Sequence, residues 1–180
     1  MSLWNGKPSR FFQDYEKGPD GHFVYKGAYY RVRPGTDFCR YSRINSLWVL
    51  GMVACFVFCG CLPTSSLQAA YVTVPFLCGL LPIAVCAWDV GHIAFSKQRL
   101  PQPDHEKYVE RLRVWTGATF LLAAAATVGQ TGYLLFGFIP GKLGIDLLFL
   151  VGVLGLALCS LFFFLYQRQS PWVPDGATHC

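Results

Sequence analysis

Residues Tyr71 to Phe95 read YVTVPFLCGLLPIAVCAWDVGHIAF. At the 1.5 Å rise of an α-helix, a run of this length crosses a hydrocarbon layer. Its interruptions are informative. Pro75 and Pro82 each remove a backbone donor and bend the axis. Asp89 and His92 bring ionisable side chains to membrane depth, and such groups face protein or water in preference to lipid. This span is therefore expected to be enclosed by others.

Three more apolar runs supply the enclosure, giving spans at about 44–62, 71–95, 114–138 and 143–166. The expected class is an all-α membrane protein: a four-transmembrane-helix bundle (44–166) with a small cytoplasmic N-terminal segment (1–43) and a cytoplasmic tail (167–180). Composition agrees. Apolar residues make up 53% of the chain and charged residues 14%, against about 25% charged in typical soluble domains. The charges gather in the first 43 residues and between Ser96 and Arg113. A net charge of +5 would suggest nucleic acid in a soluble chain. Here it flanks spans, so the lipid bilayer is the expected partner and nucleic acid is not.

The N-terminal segment has no long apolar run, and no secretory signal is expected in it. Within it, HFVY and AYYRV flank Lys26-Gly27. Two aromatic and β-branched runs about a glycine-containing loop predict a β-hairpin near 22–32. Arg31, Arg33, Arg40 and Arg43 then lead into the first span and are candidates for lipid-headgroup contact. After the second span, Asp104 is the expected N-cap of a helix that starts in water and enters the membrane near Val114.

Lysine and arginine number eight before the first span and five in the middle loop, but none between spans one and two and one between spans three and four. The positive-inside rule then places both termini and the middle loop in the cytoplasm of a plasma (inner) membrane.

The eight cysteines do not form a disulfide framework. Six lie in apolar runs, where cysteine behaves as a small hydrophobe. Gly51, Cys55 and Cys59 recur every four residues, and Gly152, Gly155 and Cys159 give a second small face. Ala125 and Gly129 make a small-xxx-small pair, and Ala87 and Gly91 belong to a further stripe. Such faces let helix backbones approach closely in lipid.

The intramembrane polar candidates are Asp89, His92 and Gln130. Asp89 and His92 are three apart and share a helix face. They suit either a proton relay or a structural pairing, with Arg111 or Arg113 as the ion-pair partner of Asp89 at the entrance of the antiparallel third helix. Gln130 needs a hydrogen-bond partner, since an unsatisfied buried amide is costly. One histidine and one carboxylate are too few for a metal site, and no cofactor motif is present. The expected role is a non-catalytic interaction or accessory subunit, as a homo-oligomer or in a larger membrane complex. The alternatives are a small proton-linked transporter or channel using Asp89 and His92 and, last, a membrane thiol oxidoreductase.

Overall fold

The computed structural model describes residues 15–17, 23–25, 29–33, 35–96, 99–136, 143–169 and 171–174. Four helices in it are long and apolar enough to cross a membrane: α1 (Phe38–Gly60), α2 (Ala70–Phe95), α3 (Gln102–Phe136) and α4 (Leu143–Arg168). Each packs on its neighbours in sequence, and α4 closes on α1, so the four form a ring of antiparallel helices.

The first helix begins earlier than its apolar run. Asp37 caps it, its carboxylate accepting the backbone N–H of Cys39 at 2.9 Å. Arg40 and Arg43 therefore stand on the first turns of α1, not in a loop before it. The second helix is interrupted at Gly79, three residues before Pro82. Proline at 82 has no N–H to give, and the helix resumes with the amide of Ile83 donating to the Gly79 carbonyl at 3.3 Å.

The third helix corrects the capping expectation. It starts at Gln102, and Asp104 makes no cap hydrogen bond. Pro103 lies in the first turn, where its missing N–H costs nothing. Residues His105–Glu110 are wound as a π-helix before the α-helix resumes at Arg111. The fourth helix runs two residues beyond 166.

Strands form in the N-terminal segment, but among the described residues the two expected to make the 22–32 hairpin do not pair with each other. Strand β2 (Phe23–Tyr25) pairs antiparallel with the earlier β1 (Tyr15–Lys17). Strand β3 (Tyr29–Val32) pairs instead with β4 (Arg99–Pro101) from the middle loop and β5 (Trp172–Pro174) from the tail, in the order β4-β3-β5. An isolated hairpin is marginal in water. The three-stranded arrangement buries Leu100 and Trp172 at 3% and 7% exposure, which a hairpin of 22–32 could not. The N-terminal segment, the middle loop and the tail thus meet at one end of the bundle.

Two buried clusters fill the ring. Nearer the sheet are Tyr41, Met52, Ile83, Cys86, Leu112, Leu156, Phe163 and Trp172. At the far end are Cys59, Val72, Phe76, Ala126, Phe149 and Val153. The outside carries Trp88, Leu121, Val128, Leu135 and Val151, each at least 65% exposed, an apolar surface suited to lipid. The small residues explain the close packing. A Cβ on Gly129 would lie 2.9 Å from the Tyr71 carbonyl oxygen, and one on Gly152 would collide with Cys59 Sγ. The stripes on α1, α3 and α4 are thus used between helices of the same chain, although Ala125 faces outward.

Candidate functional site

Asp89 lies on the inner face of α2 with Cys86, Val90 and Ile93, and is fully buried. The adjacent helix brings Arg111 to it. The guanidinium Nε donates to Oδ2 at 3.0 Å, and a terminal nitrogen donates to Oδ1. A two-point charge-assisted contact of this kind is both strong and directional. It forms because α2 ends and α3 starts at the same end, which sets the last turns of one against the first of the other. Arg113 is exposed and takes no part.

His92 does not join Asp89. It is exposed, and its ring stacks on Tyr108 with centroids 4.5 Å apart and an interplanar angle of 11°. The Arg111 guanidinium lies 5.8 Å from the centre of the same tyrosine ring. The order Asp89, Arg111, Tyr108, His92 therefore runs from the interior to the surface. The two residues read together in the sequence are separated by a cation and an aromatic ring. His92 also lines a 310 Å³ groove on the outer face of α2 with Ala87, Trp88, Gly91 and Phe95.

Gln130 belongs to the other end. Arg111 and Gln130 are separated by roughly 28 Å of helix at 1.5 Å per residue. The Gln130 amide donates to the Asp146 carbonyl at 3.0 Å, while its Oε1, also buried, has no hydrogen-bond partner among the described residues. The three polar candidates thus fall into two places, not one path.

Sequence reading missed what surrounds Asp146. Near the start of the fourth span, Asp146 reads as an interfacial or helix N-terminal charge; it does stand in the first turn of α4, but there it is fully buried. Thr64 donates to its Oδ1, and the Ser65 hydroxyl lies 3.5 Å from Oδ2. Ser66 adds a hydroxyl contact to Thr64 at 2.8 Å. The turn between α1 and α2 is therefore fastened to α4 through hydroxyl donors. The available signal was a charge-free, hydroxyl-rich PTSS facing a single acid at the start of the fourth span. Lys142 lies outside the described residues.

A third polar feature is a cleft of about 740 Å³ at the sheet end, lined by Arg33, Thr36, Asp37, Arg40, Tyr41, Ile44, Tyr166 and Arg168 among others. Of the four arginines expected at lipid headgroups, Arg33 and Arg40 line it. Arg43 is exposed on α1 outside the lining, and Arg31 is a half-buried residue of β3. Arg168, not singled out in the sequence, completes the set.

Among the described residues no group of three His, Cys, Asp or Glu side chains could hold a metal ion. Comparison with protein-family models, with curated proteins and with solved structures finds no match. Functional inference therefore rests on the chain itself.

Proposed function

We propose that this chain is a non-catalytic multi-pass membrane protein acting as an interaction or accessory subunit, with both termini and the middle loop on the cytoplasmic side of a plasma (inner) membrane. The observation carrying this reading is the outer groove of α2. It is almost wholly apolar, with Trp88 and Phe95 standing 65% and 93% exposed at its sides. A Cβ on Gly91 would meet nothing within 4 Å, so a neighbouring helix can approach the backbone there. The Gly51, Gly129 and Gly152 positions are met by neighbouring helices of the chain, whereas the Gly91 face is open to a second copy or a larger complex.

Extraction in mild detergent, followed by native mass measurement, tests the reading. A defined oligomer or a co-purifying partner is expected, lost in Gly91→Trp while thermal stability changes by less than about 0.5 kcal/mol, as for an external substitution. A clean monomer without partner would remove it.

A small proton-linked transporter or channel is the second reading, and Asp146 is the residue favouring it, as a buried carboxylate held by hydroxyl groups. Asp89 and His92 support it less, since Arg111 and Tyr108 stand between them. A membrane thiol oxidoreductase ranks last: Cys59 and Cys86 are fully buried, and the exposed Cys39, Cys61 and Cys78 have no CxxC spacing that would make a reactive pair.

A further inference from the structure

We propose that the cleft formed by the Arg33 turn, the start of α1 and the end of α4 binds a phosphate-bearing anion, supplied in the membrane by the headgroup of an anionic phospholipid. This goes beyond the interaction role and does not depend on it.

Three arginines line the cleft from three separate segments: Arg33 just after β3, Arg40 in the first turn of α1 and Arg168 as the last residue of α4. Among the described residues the ion pair in the bundle is Arg111 with Asp89, and none of the three cleft arginines has a carboxylate partner. Asp37, the acid in the lining, is already engaged as the cap of α1. The lining therefore presents an excess of positive charge in the planar, multi-donor form that suits phosphate.

The walls are held in place by contacts within the chain. The Arg33 amide donates to the Pro171 carbonyl at 2.8 Å, and the Thr36 amide donates back to the Arg33 carbonyl at 3.0 Å. Gly35 closes this turn at φ +90°, a conformation that side-chain-bearing residues rarely adopt. Tyr41 and Tyr166 stack with centroids 6.0 Å apart. The Tyr41 hydroxyl donates to Gln167 at 3.2 Å, and Gln167 donates to Asn45 at 2.8 Å. A preformed site loses less freedom on binding.

Lipid is favoured over a free ion by position and size. Ile44 in the lining is followed along α1 by Leu47 and Leu50, 60% and 63% exposed, an apolar surface along which an acyl chain can lie. A volume of about 740 Å³ also far exceeds what a lone phosphate ion requires, given about 30 Å³ for a water molecule in the liquid.

The test uses the full chain in nanodiscs of phosphatidylcholine with a minority of phosphatidylglycerol, followed by release and native mass spectrometry. One retained phosphatidylglycerol is expected. Arg168→Gln should lower its retention roughly five-fold, at about 1 kcal/mol per arginine near a lipid surface. Arg33→Gln should do the same, which keeps the test valid if either variant fails to fold. Arg43→Gln, outside the cleft, should change retention less than twofold. Equal losses in all three variants would reduce the effect to general surface charge and overturn the site. So would retention unchanged in the two cleft variants. Inorganic phosphate is the second probe: if it binds the detergent-purified protein in an Arg168-dependent way while phosphatidylglycerol is not retained, the lipid source is overturned.

Discussion

Arg111 engages both carboxylate oxygens of Asp89, joining the last turns of α2 to the first membrane turn of α3. The acid is wholly enclosed, whereas the arginine side chain keeps 36% of its surface exposed. The pair therefore sits at the border of the bundle, with the charge of Asp89 neutralised from the side that reaches water. Removing one partner leaves a buried charge without compensation. Arg111→Gln is expected to destabilise the protein by about 3 kcal/mol, at the low end for breaking a buried pair because Arg111 is part-exposed. Thermal unfolding in detergent measures it. The double variant Asp89→Asn with Arg111→Gln should be less damaged than Arg111→Gln alone. Additive losses would mean that the two side chains are not coupled.

The contact between Gly152 and Cys59 gives a second expectation. Gly152→Ala places a methyl group against the Cys59 sulfur and should cost roughly 1–3 kcal/mol through overpacking. Cys59→Ala in the same chain makes room and should restore most of the loss. Lack of rescue would show that α1 and α4 do not meet at these positions.

Much of this was legible from residue order alone. The four spans follow from apolar run lengths, and Arg111 was one of two partners expected for Asp89, because antiparallel helices place the end of one beside the start of the next. What escaped was everything requiring long-range pairing. Strand β3 carries no mark saying that its partners are Leu100 and Trp172 rather than the nearer 23–25, since β-pairing across the chain is decided by burial and not by spacing. The Asp146 cluster escaped for a similar reason: a hydroxyl's partner is set by how helices stand, and 82 residues separate Thr64 from Asp146. The cleft depends on Arg168, which in sequence is merely the last charge of a span.

At the far end, Thr64→Val removes the hydroxyl that donates to Asp146. The carboxylate then remains buried with fewer donors, at an expected cost of about 1–3 kcal/mol. Chemical unfolding would register it, and Thr64→Ser should retain most of the stability. Equal loss in both variants would show that the hydroxyl is not the important group.

His105 supplies a pH dependence. It lies before the membrane-entering part of α3, stacked on Tyr30 with centroids 4.1 Å apart and edge-on to Trp172 at 6.0 Å. Burial pushes its imidazole below the ordinary 6.5, against the opposing pull of Glu110 and Glu106. Because the folded value is the lower one, the unfolded chain binds the extra proton more readily. The stabilisation is complete above about pH 6.5 and is lost as the pH falls below it. Amide exchange of β3 and β5 should quicken in that range, and His105→Phe should flatten the response. An unchanged acid response in the variant would assign the effect elsewhere.

The most direct test concerns the end at which the termini meet. Epitope tags at the N-terminus, between Ser96 and Leu100, and at the C-terminus are expected to be protected together, or exposed together, in sealed membrane vesicles of known orientation. A tag inserted at Ser65 should behave oppositely. Agreement would place β3, β4 and β5 on one side of four spanning helices. Finding either terminus on the side of Ser65 would contradict that arrangement, and with it the sheet and the arginine cleft.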